Sequence, residues 1–370
     1  MHRGFRGATL VFVASFLLPA QEKPTINLST GKDVFQNACV GCHGADGRGA
    51  PDTTVGFKKP ETFPDFTACD QTTPEANSAW LTIIHEGGKG RALSAIMPSF
   101  AEALTAEQIG MVVEYLRGFC TGKGWPRGEL NLPRALFTEK AFPEDETVLT
   151  TAVNTKGAAA VSSILTYEKR FGAKNQIDVA VPFGFSKDGA TWLGGVGDIV
   201  FGLKRVLFSS LKSGSILSVQ GETILATGNK ARGFGTGTTI FEGFLTYGQL
   251  LPGNTFAQIQ VGTEQPAHSD IAPRAAFLRT VIGKSVTQNG GLGRLWSPML
   301  EAITDRNFEK GAVTNFDLVP QFQVTLSKRQ HVRANVGWRF PVNNTAGRDS
   351  SLVFYLLWDW FDGGLREGWR

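Results

Sequence analysis

From about Glu144 to the end, the chain repeats one pattern: apolar and polar residues alternate in run after run of similar length. Val332, Ala334, Val336, Trp338 and Phe340 alternate with Arg333, Asn335, Gly337 and Arg339. Phe316, Leu318, Pro320, Phe322, Val324 and Leu326 alternate with Asp317, Gln321, Gln323, Thr325 and Ser327. Ala257, Ile259 and Val261 stand opposite Gln258, Gln260 and Glu264. Side chains on a strand point to opposite faces in turn, so each run is a ribbon with one apolar and one polar side. Twelve runs are recognisable, near 147–154, 160–170, 175–185, 196–208, 215–226, 238–248, 255–264, 274–287, 294–305, 314–327, 331–340 and 351–361. Their lengths lie near the ~9–11 residues with which a tilted strand crosses a bilayer.

The connections alternate too. Those after odd-numbered runs, apart from the first, are longer than any after the even-numbered ones. An even number of strands joined by short turns at one end and long loops at the other predicts an antiparallel transmembrane β-barrel over 146–370. Both ends of the barrel segment then lie on the short-turn side, which in outer-membrane barrels faces the periplasm. A soluble antiparallel sandwich also alternates and remains an alternative. Composition leans to the barrel, with 44 Gly, 27 Phe and 8 Trp in 370 residues but only 19% charged residues. Glu301, Asp305 and Lys284 have no clear place in the alternation. A net charge of +4 is too slight for a nucleic-acid binder. No apolar run of about 20 residues follows the N-terminus, which excludes a transmembrane helix there.

The first twenty residues read as an export signal: His2, Arg3 and Arg6, then an apolar stretch from Ala8 to Leu18, then Pro19-Ala20 before Gln21. A retained N-terminal anchor is the alternative. Further on stands Cys39-Val40-Gly41-Cys42-His43, the C-x-x-C-H attachment signal of c-type haem. Two thiols three residues apart on a helical turn can each form a thioether to a haem vinyl group, and the next residue, His43, is directed at the iron. A bare C-x-x-C would more often be a redox disulfide or half a zinc site. The following His and the absence of a second C-x-x-C speak against both.

Around this motif, Ser29 can cap a helix running from Lys32 to Ala38, and a Gly/Pro-rich loop follows from Gly44 to Pro64. A short helix is predicted over Ala79–His85, then Met97-Pro98, then a helix from Thr105 to Phe119. That last helix has a Thr105/Gln108 capping box and an apolar stripe of Ile109, Val112, Val113 and Leu116. Residues 29–120 in this order resemble a class I cytochrome c. The resemblance implies that Met97 supplies the second axial ligand of one covalent haem c, so that iron is held by His43 and Met97. A core methionine is the plainer reading of Met97, and His85 is the competing ligand. Met/His ligation closes both axial positions and raises the potential, which implies electron transfer rather than catalysis. Cys69 and Cys120 can pair in an oxidising compartment, although separate buried thiols remain open.

Two local features of the second half carry resemblances. Gly195-Val196-Gly197-Asp198-Ile199-Val200-Phe201-Gly202-Leu203-Lys204 is similar to the G-x-GD-x₃-G-x-K signature of outer-membrane transporters of the "MetA-pathway of phenol degradation" family. The alternation Leu352-Phe354-Leu356-Trp358-Trp360 resembles the C-terminal signal of barrel proteins, but here the chain runs on to Arg370. The order of signal, single C-x-x-C-H and barrel resembles the cytochrome–porin fusions that oxidise ferrous iron at bacterial surfaces. The expected organisation is a signal over 1–20, a cytochrome c domain over 21–120, a linker over 121–145 and the barrel over 146–370. A barrel of twelve strands is too narrow to swallow a cytochrome domain, which should dock below it. The expected function is electron transfer at the outer membrane, among lipid, with no enzyme activity assigned. Cys39, Cys42, His43 and Met97 hold the haem, and the partner is a periplasmic carrier or an extracellular, pore-delivered donor. The alternative is a solute porin with a tethered cytochrome. Arg333, Arg339, Gln258, Gln260, Gln321, Gln323 and Glu264 would line the lumen in either case.

Overall fold

A computed structural model describes residues 26–360. The export signal expected over 1–20 and the tail beyond Trp360 lie outside the described residues.

The first helix begins one residue later than Ser29 would have it. Thr30 caps α1 (Gly31–Val34): its hydroxyl accepts from Asp33 N–H at 3.2 Å while the Asp33 carboxylate accepts from Thr30 N–H at 3.1 Å. The reason is reciprocity. A capping box needs an acceptor three residues on, and Thr30 finds Asp33 there whereas Ser29 finds Lys32. The helix then widens over Phe35–Cys39, where Val40 N–H reaches back to Phe35 O, and resumes as α2 (Val40–His43). Two single turns follow, α3 (Asp52–Val55), inside the expected loop, and α4 (Cys69–Thr72). The longer helices are α5 (Asn77–Glu86) and α6 (Ala106–Arg117). The Thr105/Gln108 box starts α6 as expected, and Ile109, Val112, Val113 and Leu116 bury their stripe against Val34 and Phe35. α1 and α6 touch backbone to backbone at Gly31, where a Cβ would stand 2.1 Å from Met111 O. Only glycine permits that crossing.

Cys69 and Cys120 form a disulfide that ties α4 to the chain leaving α6. It closes a loop of sequence separation 51 in a small domain. Cys69→Ser is expected to lower the domain's stability by roughly 2–4 kcal/mol. Urea titration of the full chain followed by haem absorbance checks this, and an unmoved midpoint would refute it.

The second half is a closed, antiparallel, up-and-down barrel. Its strands are β1 (Glu146–Lys156), β2 (Ala160–Phe171), β3 (Asn175–Asp188), β4 (in two pieces, Thr191–Val196 and Val200–Ser210) and β5 (Ser215–Ile224). Then come β6 (Ile240–Leu251), β7 (Thr255–Pro266) and β8 (Ala275–Lys284, continued at Val286–Thr287). β9 (Leu295–Asn307), β10 (Asn315–Thr325), β11 (Val332–Pro341) and β12 (Ser350–Asp359) complete the wall. Each pairs with its sequence neighbour, and β1 pairs with β12 from Glu146↔Asp359 to Lys156↔Ser350, so the sheet has no free edge. This matches the twelve predicted runs. The outward face is apolar: Leu203, Phe201, Ile282 and Val261 are 49–56% exposed, a belt that water would penalise and lipid would not.

The segment expected to be a plain linker is the main surprise of the fold. Residues 130–146 enter the lumen from the short-turn end and are buried almost throughout. Hydrogen bonds from this plug reach β2, β3 and every strand from β7 to β12. Thr138 donates to Glu301 at 2.6 Å through both N–H and hydroxyl. Leu136 N–H donates to Gln321, Glu139 N–H to Gln260 and Glu144 N–H to Gln176. Gln258 and Asn335 donate to Pro133 O and Arg134 O, Tyr355 Oη to Arg134 O, and Arg279 to Phe137 O. The Arg134 guanidinium sits between Glu146 at 2.9 Å and Glu168 at 2.8 Å, and Lys140 pairs with Glu144 and Glu146. Elsewhere the plug packs apolar groups, Phe142 and Leu130 against Val206 and Ile216. Gly337 on β11 makes room for Leu136, whose Cδ1 would lie 2.6 Å from a Cβ there. A segment without side-chain alternation carries no mark of this role along the chain; its polar backbone is satisfied by the barrel's inward glutamines and glutamates.

Candidate cofactor site

Cys39, Cys42, His43 and Met97 converge on one apolar cavity of about 260 Å³. α2 presents the first three. The widened turn before it ends on Cys39, and the single turn Val40–His43 brings Cys42 and His43 to the same wall. Met97 lines the same cavity from the loop between α5 and α6. That loop is held by its backbone, Gly88 N–H donating to Met97 O at 3.1 Å and Phe100 N–H to Ile84 O at 3.1 Å. Cys39 and Cys42 are both free thiols. His43 is 8% exposed and lies between aromatic rings, stacked on Phe63 at 5.1 Å with Phe66 at 5.0 Å. Its buried Nδ1 has no hydrogen-bond partner.

Burial pushes the His43 imidazole down to about 4, so the ring is neutral at physiological pH with a lone pair to give a metal. Burial, with Cys42 beside it, pushes the Cys39 thiol up to about 11. A thioether sulfur carries no charge and is at no loss in such a place. An orphaned imidazole nitrogen, two free thiols and a thioether around a cavity walled by Trp80, Ile84 and Phe100 fit a flat apolar metal macrocycle. His85 does not reach the cavity; it pairs with Glu86 at 2.8 Å at the end of α5. Arg117 stiffens the wall, stacking on Trp80 at 4.0 Å and donating to Glu75 O at 2.6 Å and to Thr72 O.

The cavity stands against the short-turn end of the barrel. Glu75, one of its lining residues, accepts from or pairs with His331 Nε2 at 2.9 Å, and His331 belongs to the β10–β11 turn. Arg91 donates to Leu292 O at 3.2 Å and Lys328 O at 3.4 Å while holding Thr82 at 3.0 Å. Arg170 of β2 caps Asp70 O and covers the Trp125 ring at 5.2 Å. Sequence reasoning missed Glu75, Arg91 and His331, because a lone charge near a turn looks like any solvated residue until its partner from the other half is known.

The expected lumen residues divide. Gln258, Gln260, Gln321 and Gln323 point inward and are buried; Gln258, Gln260 and Gln321 hold the plug, and the Gln323 amide lies 2.6 Å from Tyr355 Oη. Arg333 and Arg339 pair with Asp359 and Asp317, and Glu264 is half-buried beside Glu242 on the neighbouring strand. Of the three unplaced charges, Glu301 grips Thr138, Asp305 bonds Asn315 at 2.9 Å, and Lys284 is exposed at the end of β8. Asp198 of the glycine–aspartate motif pins a long loop, accepting from Gly228 N–H at 2.8 Å and Thr236 N–H at 2.7 Å.

Residues 28–119 match the cytochrome c family, whose members carry covalent haem c and iron. No curated protein matches the chain. Among solved structures, the chain is similar to the NanC porin, at 8% identity and a TM-score of 0.42, covering 58% of this chain and 98% of that one. It is likewise similar to the KdgM porin in complex with disordered oligogalacturonate, at 6% identity and 0.40, over 58% and 99% of the two chains. An outer membrane channel from Pseudomonas putida F1 matches at 13% identity and 0.39, over 59% and 96%. The molecule is a cytochrome c domain joined to a closed twelve-strand antiparallel β-barrel.

Proposed function

We propose that this protein is an electron carrier of the outer membrane, holding one haem c on the periplasmic side of a plugged barrel. Cys39 and Cys42 would hold the haem through thioethers, and His43 and Met97 would ligate its iron. The observation that carries this reading is the convergence of those four side chains on a single apolar cavity within the cytochrome c domain. The haem supplies reversible one-electron chemistry. Around it, Phe63 and Phe66 orient His43, Trp80 and Phe100 exclude water, and the Gly88–Met97 backbone contact presents the methionine. With His43 and Met97 both given to the iron, the haem would supply electron transfer rather than an open site for oxygen or substrate, which favours a carrier over an oxidase.

The outward apolar belt and the closed wall support outer-membrane residence, and the short turns beside the cytochrome support its facing the periplasm. Among the described residues the plug fills the lumen, which disfavours a solute porin and an open path to the haem from the long-loop side. A donor outside is separated from it by an apolar band about 25 Å tall. The partner is therefore a soluble one-electron carrier on the periplasmic side. Protein oriented in liposomes with long loops outward tests this. A membrane-impermeant reductant added outside is expected to leave the haem oxidised, whereas the same reductant trapped inside reduces it at once. Prompt reduction from outside would overturn the sidedness and favour an external donor.

A further inference from the structure

A line of ionisable groups runs from the cavity wall into the barrel. Glu75 lines the cavity, and its Oε1 lies 2.9 Å from His331 Nε2. The other ring nitrogen, Nδ1, is 3.1 Å from Asp359 Oδ1. Asp359 is fully buried, pairs with Arg333 at 3.3 Å and sits opposite Glu146 in the β1–β12 register. Glu146 in turn meets Lys140 and Arg134 of the plug. The histidine is held in place by its turn: Ser327 Oγ accepts from His331 N–H and Val332 N–H, both at 3.1 Å, and His331 O accepts from Asp359 N–H at 3.0 Å. The imidazole shares a hydrogen bond with Glu75 through Nε2, and Asp359 stands beside the other nitrogen as an ion-pair partner, so an added proton can pass between Glu75 and the imidazole with the Asp359 charge holding it there.

We propose that Glu75, His331 and Asp359 form a proton relay that couples reduction of the haem to uptake of one proton. The proposal rests on the haem assignment above. One electron from a soluble one-electron donor enters the ferric haem, one proton from water enters the relay, and the net charge at the cavity is unchanged. The physical reason is that a carboxylate in the wall of an apolar cavity repels the added electron strongly, since the dielectric there is low. Burial pushes the Glu75 carboxyl up, but the hydrogen bond and charge of His331, with Arg333 and Arg91 further off, outweigh it and hold the group below the usual carboxylate range. Besides these, Asp359 and Arg117 face the same carboxyl. Reduction adds negative charge nearby and raises proton affinity, so the relay binds its proton more tightly in the reduced protein. The potential must then fall as pH rises between the oxidised-state and reduced-state titrations.

The test is a spectroelectrochemical titration of the full-length protein in detergent from about pH 4 to about pH 8, with proton uptake read by an indicator dye. Full coupling makes each pH unit a tenfold change in the equilibrium, about 59 mV for one electron. Glu75→Gln and Asp359→Asn are expected to flatten that slope. Glu75→Gln should also raise the potential and abolish redox-induced carboxyl bands in the infrared. Glu102→Gln, which removes an exposed carboxylate of the same domain, should change neither slope nor bands. A native haem spectrum with a flat slope in the unaltered protein, or an unaltered slope in Glu75→Gln, overturns the relay while leaving the haem assignment intact. Absence of covalent haem in the unaltered protein overturns the assignment itself.

Discussion

Replacing residues 130–143 with a Gly/Ser segment of equal length turns a sealed barrel into an ion-conducting one. In planar bilayers the unaltered protein is expected to show no steady conductance, and the substituted protein discrete open steps. The wall does not depend on the plug for its closure, because β1 and β12 pair over their whole length and every other strand pairs with its neighbours. What the plug supplies is occupancy. It satisfies Glu301, Gln321, Gln260 and Gln176 by hydrogen bonds, and those groups accept water equally well once it is gone. Its withdrawal in the unaltered protein is opposed by charge. Pulling Arg134 away leaves Glu146 and Glu168 buried without their cation, and breaking a buried pair in this way costs about 3–5 kcal/mol. Heat-modifiable gel mobility shows whether the substituted barrel is folded. A folded barrel that stays sealed would mean that something other than the plug closes the lumen.

Met97→Ala lowers the reduction potential and lets added cyanide or imidazole bind the iron. Axial ligands set haem potentials over a span of about 0.8 V, and a thioether opposite histidine lies toward the high end. The expected drop is on the order of a tenth of a volt or more. The substitution leaves the loop in place, since Gly88 and Phe100 hold it through backbone hydrogen bonds that a side-chain change does not touch. His85 cannot replace the methionine without unwinding the end of α5, where it pairs with Glu86 and its carbonyl accepts from Ser99 Oγ at 2.6 Å. An unchanged potential together with no binding of added ligand would remove Met97 from the iron.

Much of this molecule was readable because its signals are local. The spacing of Cys39, Cys42 and His43 lies within one helical turn, and the Thr105/Gln108 box is a contact over three residues. The strand runs repeat with period two because every barrel strand has an apolar outer face on one side and the lumen on the other. Even the small error at Ser29 was local: the capping box needed Asp33, and Thr30 was the residue at the right spacing. The pairing of Cys69 with Cys120 was only one option, because nothing in the spacing of two cysteines says how close the fold brings them.

Neighbours along the chain carry the cofactor motif, the two-part organisation, the twelve strands and the apolar face of each. Contacts made only on folding put residues 130–146 in the lumen, hold them there through Glu301 and the inward glutamines, and bring Glu75 to His331 across the two halves. Most of those contacts join residues more than a hundred positions apart. Their energy comes from burying charges and backbone polar groups that are partnered only once the barrel has closed, and no periodicity along the chain records that.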